Sequence, residues 1–345
     1  MIPIQNIYYM LSYAFQVLNE QGYKNIATEQ FHNTAELMAA ILEKGIAIQI
    51  KRGLGKEYIL QTEALSSLQG KIDIAESIKT QSMLRKQLIC TYDEFSVNSI
   101  MNRIIKSTVE LHLRSNISKQ RKKNLRKLMV YFSEVDFIDL YTVNWNVQYN
   151  RNNQTYRMLI SICYLVVKGL LQTQSNGHTK LMDFLDEQRM CRLYEKFILE
   201  YYRREFKNQI TTNASQIPWQ LDNEENSMLP VMQSDIMLQS GEKVLIIDAK
   251  YYEHSTQVQF DKHTLHSGNL YQIFTYVKNK EYELREKDHT VSGMLLYAKT
   301  DEEIYPNNVY QMSGNQITVR TLDLNLPFDE IAGQLNTIAK THFDL

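Results

Sequence analysis

The chain has 345 residues, 43% of them hydrophobic, with 38 Lys and Arg against 39 Asp and Glu and a formal net charge of -1. That length accommodates two domains of ordinary size, and the apolar content suits packed cores and excludes a disordered chain. A charge this close to balance excludes bulk attraction to polyanions, so any nucleic-acid partner must be met by a local patch.

Cys90, Cys163 and Cys191 are far apart, odd in number and without paired metal-ligand spacing. They fit a reducing interior with no disulfide framework and no zinc site. The start, "MIPIQNIYYMLSYAF", lacks a basic segment and is interrupted by Gln5 and Asn6, so it does not read as a secretory signal. The most apolar stretch, "MLISICYLVVKGLL" from Met158, is broken by Lys168 and is shorter than the ~20 residues of a membrane span. It reads as a core helix, and the chain as a cytoplasmic protein with no membrane partner.

In chain order, Ile7, Met10, Leu11, Ala14 and Leu18 recur at helical spacing. A second helix is expected over "TAELMAAILEKG", with Gly45 as its C-cap. From Ala47 to Ile78 the pattern turns strand-like in "IAIQI", "EYILQ" and "GKIDIAESI", punctuated by Gly53, Gly55 and Gly70, which predicts a small β-region with an extended hairpin. Helical spacing returns from Val97 to Leu113 and runs on towards "KQRKKNLRKLM". Between Met101 and Lys127 nine Lys or Arg face one acid, Glu110, a surplus that can track phosphates, meet an acidic partner surface or form a solvated helix face.

The polar segment "QTQSNGHTK" from Gln172 separates two apolar blocks and places a domain join near residue 180. Beyond it, "CRLYEKFILEYYRREF" is an amphipathic helix with Glu195 at the edge of its apolar stripe. Strands follow at "QITTNASQIPW", "SDIMLQ" and "VLIIDAKYY", then a helix at "NLYQIFTYVKNK" and a strand at "GMLLYA". A late strand, "QITVRTLDL", and a helix carrying Phe328, Ile331, Leu335 and Ile338 complete the chain. The fold class is mixed α+β or α/β.

"SDIMLQ" and "VLIIDAK" form the arms of a hairpin turning at Ser240-Gly241-Glu242-Lys243, because Gly241 accepts the positive φ of a tight turn. With Gly241 and Glu242 as the loop, Asp235 lies opposite Asp248, about 5 Å apart at Cβ. Strand alternation puts Lys250 on the same face as Asp248, with Ile247 and Ala249 on the other. Two close carboxylates repel unless they share a proton or a cation. Mg²⁺ suits the pair, being oxygen-seeking and commonly bridging carboxylates to phosphate oxygens. Lys250 can then position a water or support developing negative charge, which outlines phosphodiester hydrolysis. An Asp-Ala-Lys alone is more often a surface ion pair. Gln272 and Tyr276, four apart on the following helix, share one face along which a nucleic-acid strand could run, though such a pair alone usually borders a core.

Asp235, Asp248-Ala249-Lys250, Gln272 with Tyr276, and Glu195 together resemble the PD-(D/E)xK nuclease superfamily in its αβββαβ order. The stretches "IPIQNIYYMLSYAF", "MNRIIKSTVELHL", "LYEKFILEYYRREF", "DIMLQSGEKVLIIDAKYY" and "NLYQIFTYV" are further similar to McrC, the nuclease subunit of McrBC modification-dependent restriction systems, over nearly the whole chain.

The resemblance implies a partner-docking domain over 1–180 and an endonuclease domain over 181–345. It implies Asp235 and Asp248 as ligands of Mg²⁺, with Mn²⁺ as an alternative occupant, the Ala249 carbonyl as a third ligand and Lys250 as the catalytic lysine. Glu195 would be a further acid, and Gln272, Tyr276 and Tyr251 would support the site and its DNA. The motif's proline is displaced, since Pro230 lies five residues before Asp235. A McrC-type chain implies a hexameric McrB-type AAA+ GTPase as partner, reader of 5-methylcytosine and motor on double-stranded DNA, and dimerised nuclease domains as a route to double-strand cutting.

No G-x-x-x-x-G-K-[ST] loop occurs, so the chain itself is expected to bind no nucleotide. The glycine-marked region from Gly53 to Ile78 is a candidate docking finger, and the basic helix around Lys122 could face a ring. Two further readings stand beside this one: a stand-alone repair-type nuclease, against which the long N-terminal half speaks, and a non-catalytic regulatory subunit, against which the paired acids speak. No Gly-x-Ser-x-Gly or His-Glu-x-x-His appears, and His254, His263 and His266 near the site read as loop decoration.

Overall fold

A computed structural model describes residues 2–15, 18, 23, 26, 29, 31–150, 153–175, 187–223, 228–252, 257–259, 262–299 and 305–345. The chain forms two compact units, one of Met1–Phe31 with Asp183–Leu345 and one of His32–Met182. The expected join near residue 180 falls outside the described residues.

The first helix, α1 (Ile4–Ala14), buries Ile7, Met10, Leu11 and Ala14. Its partners lie in the C-terminal half. Tyr9 stacks on Phe328 at 4.5 Å, Tyr13 packs on Phe197 and Tyr201, and the Tyr13 hydroxyl donates to Glu205 Oε1 at 2.9 Å. Asn6 Nδ2 donates to the carbonyls of Leu324 and Leu326, each at 2.8 Å. A division at residue 180 would assign this helix to the N-terminal domain. It is instead part of the C-terminal unit, because an apolar stripe shows that a helix is buried without showing against what.

The unit of His32–Met182 opens with α2 (Thr34–Arg52), capped by the Asn33 side chain, which accepts from Glu36 N at 2.8 Å. The helix does not stop at Gly45. It runs through "IAIQI", expected as a strand, to Gly53, whose φ of 92° suits glycine. Met38, Ile41, Leu42, Gly45, Ile46 and Gln49 continue one buried stripe, and that burial outweighs the roughly 1 kcal/mol cost of an interior glycine.

Strands β1 (Glu57–Leu65) and β2 (Lys71–Asp73), a short helix α3 (Ile74–Lys79) and β3 (Leu88–Ser96) follow. Both β1 and β2 pair antiparallel with β3, which lies between them. Thus the finger predicted to Ile78 needs residues to Ser96 for its central strand, and "IAESI" is helical, started by Asp73 as N-cap.

The helices α4 (Ile100–Leu113), α5 (Lys119–Met129) and α6 (Tyr156–Ser175) complete this unit, α2 and α4 packing on α6. The helical run breaks between α4 and α5, where the Ser118 hydroxyl accepts from Arg121 N at 3.2 Å and donates to Glu36 Oε1 at 2.8 Å. The root of the finger is held by two buried side chains. Asn102 Nδ2 donates to Gly55 O at 2.9 Å and Val97 O at 2.8 Å. The Tyr156 hydroxyl accepts from Gly55 N at 2.6 Å and donates to Asn102 Oδ1 at 2.7 Å.

In the other unit, α7 (Glu187–Glu205) precedes β4 (Thr211–Asn213), the ribbon of β5 (Gln216–Ile217) and β6 (Met232–Gln233), then β7 (Ile236–Ser240) and β8 (Lys243–Lys250). A second ribbon, β9 (Gln257–Gln259) with β10 (Lys262–Thr264), leads to α8 (Ser267–Glu283), β11 (Thr290–Ala298), β12 (Asn308–Met312), β13 (Asn315–Leu322) and α9 (Phe328–Phe343).

One six-stranded mixed sheet has the order β12-β13-β11-β8-β7-β4, with β8, β11 and β13 parallel. Helix, three sheet strands, helix and strand thus occur in the expected order, the ribbons being additions. Val244 and Ile246 pack with Ile273, Tyr276 and Val277 of α8. Gly293 permits that approach, since a Cβ there would lie 2.8 Å from Ile273 Cγ1 and 2.9 Å from Val277 Cγ2. Helix α7 packs against β7 and β8 and bonds to α9 through the Tyr202 hydroxyl, which donates to Leu335 O at 3.0 Å.

Candidate active site

Strands β7 and β8 turn at Gly241, φ 56°, and pair from Ser240↔Lys243 to Ile236↔Ile247. Extending that register by one residue sets Asp235 opposite Asp248, as the turn arithmetic predicts. Asp235 stands just past the ladder, and its Oδ2 accepts the Ala249 N–H at 3.0 Å. Asp248 is only 1% exposed, at the end of an apolar strand. Lys250 Nζ lies 2.8 Å from each of its carboxylate oxygens, but only the contact to Oδ1 is aligned as a hydrogen bond. Oδ2 is therefore a buried oxygen without a hydrogen bond.

Burial pushes the Asp248 carboxyl upward, against the pull of Lys250. The like charge of Asp235 and a hydrogen bond that only protonated Asp248 can give it push upward too. Lys250 also moves up: burial opposes its charge, but the adjacent Asp248 outweighs burial. The two shifts describe the pair differently, one neutralising the acid and the other holding the ion pair. The ammonium astride both oxygens favours the ion pair, with Asp248 the group that gives way on acidification.

Glu195 reaches this end of the sheet from α7. Its Oε1 accepts the Cys191 thiol at 3.0 Å, and its pKa is raised by burial and by the charge of Asp235. Burial and the bond to Glu195 push the Cys191 thiol up to about 12, and its sulfur accepts the Tyr251 N–H. The half-buried Tyr251 ring meets Tyr194 edge-on at 6.3 Å.

On the opposite helix, Gln272 Oε1 is 3.4 Å from Lys250 Nζ, and Gln272 Nε2 donates to the Tyr276 hydroxyl at 3.0 Å. Tyr276 is 9% exposed and packs in the core beside Ile273 and Val277. What it offers the site is an acceptor that orients Gln272, which in turn faces the lysine.

Sequence reasoning missed a second polar chain beside Lys250. Asn269 Nδ2 donates to the Tyr297 hydroxyl at 2.9 Å, and the Tyr252 hydroxyl donates to Asn269 Oδ1 at 3.2 Å. Tyr297 is the ladder partner of Lys250 on β11. Asn269 stands three and seven residues before Gln272 and Tyr276, so helical spacing could have found it. Cys191, four residues before Glu195 on α7, carries the same signal, whereas Tyr297 carries none. The His266 carbonyl accepts from Asn269 N at 3.1 Å, and its ring lies 5.2 Å from Tyr252. The side chains of His254 and His263 lie outside the described residues.

Two facing carboxylates, one with a buried oxygen that takes no hydrogen bond and meets the Lys250 ammonium, suit a hard divalent cation that keeps waters and substrate oxygens in its shell. Among the described residues no three His, Cys, Asp or Glu form a ready-made cage. A cavity of about 600 Å³, lined by Lys243, Arg320 and His342 among others, lies at the opposite end of β8 from the carboxylates.

Comparison with known proteins places these residues in a family. Two solved structures from Thermococcus gammatolerans resemble the chain. One is a refined half-complex from a tetradecameric assembly of McrB AAA+ hexamers with bound McrC, with TM-score 0.49 and 18% identity, covering 97% of this chain and 76% of that one. The other is a McrBC complex solved by cryo-EM, with TM-score 0.42 and 22% identity, covering 59% of each chain. The Type IV methyl-directed restriction enzyme EcoKMcrBC of Escherichia coli (strain K12) is 30% identical over 333 residues, covering 94% of this chain and 93% of that protein. The model of the McrBC 5-methylcytosine restriction system component matches residues 5–298. With both the carboxylate hairpin and the N-terminal helix inside that match, the chain belongs to the McrBC 5-methylcytosine restriction system component family.

Proposed function

We propose that this chain is the Mg²⁺-dependent endonuclease subunit of a McrBC-type restriction system, with a PD-(D/E)xK site that cuts DNA delivered by a hexameric McrB-type GTPase. The observation that carries the reading is the meeting of Asp235, Asp248 and Lys250 at one hairpin end, with Asp248 Oδ2 left without a hydrogen bond. Asp235 and Asp248 would hold the cation, with the Ala249 carbonyl as a further ligand. Bound there, it would polarise the scissile phosphodiester and acidify a water.

The remaining work falls to the protein's own groups. Lys250 Nζ, kept protonated by Asp248, presents positive charge where the phosphate gains negative charge. Gln272, oriented by Tyr276, limits the swing of that ammonium. Asp235 fixes the backbone between the acid and the lysine through Ala249 N. Glu195, its pKa raised by burial and by Asp235, adds a further acid at the edge of the site.

GTP hydrolysis and recognition of the modified cytosine belong to the partner, consistent with a sequence that carries no P-loop. The finger suits docking on such a protein. Tyr58 and Leu84 are 74% and 81% exposed, and Leu60, Ile74, Ile78 and Phe95 are exposed with them, apolar exposure of the kind that marks interaction surfaces. Two nuclease units brought together would cut both strands.

The test is cleavage of methylated and unmethylated plasmid with Mg²⁺, with and without the cognate GTPase and GTP, by wild type and Asp248→Ala. Methyl- and partner-dependent cutting that disappears in the variant is the expected result. Cutting that survives Asp248→Ala, or wild-type cutting indifferent to partner and methylation, would overturn it.

A further inference from the structure

Helix α5 has two faces of different chemistry. Arg121, Asn124 and Leu125 recur at helical spacing and point inward: Leu125 is fully buried, Arg121 pairs with Glu36 at 3.4 Å and Glu43 at 2.9 Å, and Asn124 Nδ2 donates to Glu43 Oε1 at 2.9 Å. These contacts anchor the helix to α2 and use the acids within its reach. Lys119, Lys122, Lys123, Arg126 and Lys127 form the other face, and none of the five has an ion-pair or hydrogen-bond partner among the described residues. All but the half-buried Lys122 are exposed, and no acid occurs anywhere on the helix.

That arrangement is unfavourable for a merely solvated helix. Lys119 and Lys123, Lys122 and Arg126, and Lys123 and Lys127 are like charges four apart, each pair destabilising by a few tenths of a kcal/mol, and no Glu relieves them. From Lys119 to Lys127 the stripe covers about 12 Å of helix at 1.5 Å per residue. Phosphates on duplex DNA present negative charge at comparable density. A protein surface is the poorer fit, because interface cores are depleted in Lys and four of the five cations are Lys.

We infer that the outer face of α5 is a sequence-independent contact for the phosphate backbone of double-stranded DNA, carried by the His32–Met182 unit. It would hold DNA without reading it. Flexible ammonium groups meet phosphates as point charges and make no bidentate match to a base edge. This inference concerns binding alone and does not depend on the nuclease reading.

The experiment measures binding of a short labelled unmethylated duplex by the full chain, with EDTA present so that no cutting occurs, over a series of salt concentrations. Wild type is compared with Lys119→Gln/Lys123→Gln/Arg126→Gln/Lys127→Gln, in which Gln preserves helix propensity. Lys51→Gln/Lys207→Gln/Lys287→Gln/Lys340→Gln removes the same charge elsewhere. Circular dichroism checks that each variant folds. If all four cations meet phosphates, the slope of log affinity against log salt becomes shallower by about 3 to 4 in the stripe variant, and affinity at moderate salt falls tenfold or more. The control variant should keep a slope within about one of wild type, and replacing the stripe lysines by Arg should preserve binding. Unchanged affinity and slope in the stripe variant would overturn the inference, as would equal losses in stripe and control. Intact DNA binding with lost stimulation of the partner GTPase would reassign the stripe to an acidic protein surface.

Discussion

Asn102→Ala should loosen the finger at its root, and the cost follows from counting bonds. Asn102 makes three: Nδ2 to Gly55 O, Nδ2 to Val97 O, and Oδ1 from the Tyr156 hydroxyl. At about 1 kcal/mol each, the substitution costs about 3 kcal/mol. Tyr156→Phe loses two, to Asn102 Oδ1 and from Gly55 N, or about 2 kcal/mol. The bond between the two side chains is common to both, so the double variant loses four bonds, about 4 kcal/mol, where independent losses would give about 5. A coupling of about 1 kcal/mol is the signature of one network. Urea denaturation can read it in a Trp219→Phe background, because Trp145 is then the only tryptophan and lies in the same unit as the clamp. For the docking role proposed above, the same variants should stimulate the proposed GTPase partner less at a given concentration, since a finger free at its root is less preorganised. Additive losses within about 0.3 kcal/mol would refute the shared network, and undiminished stimulation would detach the clamp from docking.

Three further outcomes are expected. His112 is buried with Nε2 donating to Ala35 O at 2.9 Å and Nδ1 without a hydrogen bond, and burial lowers its pKa from 6.5 to about 4. Its contribution is complete above pH 6.5 and is lost as pH falls towards 4, up to about 3 kcal/mol, so urea midpoints of wild type and His112→Gln should diverge on acidification; parallel curves would sink the idea. Tyr276→Phe removes the acceptor that orients Gln272 and should lower kcat about tenfold with KM unchanged, whereas a change confined to KM would point to substrate contact instead. Mg²⁺ at about a hundred times its dissociation constant should stabilise the wild type by about 2.7 kcal/mol, reversed by EDTA and absent in Asp248→Asn; equal stabilisation of that variant would place the cation elsewhere.

The candidate site was legible in the sequence where geometry follows from counting. Gly241 fixes the turn, the turn fixes the register, and strand alternation then brings Asp248 and Lys250 together. Helix α2 was misread because Gly45 and the β-branched residues after it locally favour ending the helix, while burial along the stripe keeps it going. Strand β3 carries Thr91, Tyr92, Asp93 and Glu94 in a row and shows no clean alternation, so its central place in the finger emerged only from its pairing. The basic run near Lys122 was visible as composition. Its sorting was not, since Arg121 works inward on Glu36 and Glu43 while Arg103 and Lys106 donate to the carbonyls of Phe137, Phe132 and Val135.

Helix α1 and the rest of its unit are separated in the chain by the whole of residues 32–182. During synthesis α1 emerges before the inserted unit, but its aromatic face needs Phe197 and Tyr201, which follow that unit, and Phe328, which comes only after the sheet. The inserted unit can close first, so α1 docks on α7 and Phe328 only after the sheet strands have been made. A fragment beginning after residue 182 would hold Asp235, Asp248 and Lys250 and yet leave Phe197, Tyr201 and Phe328 stripped of Tyr9 and Tyr13, a greasy surface prone to self-association.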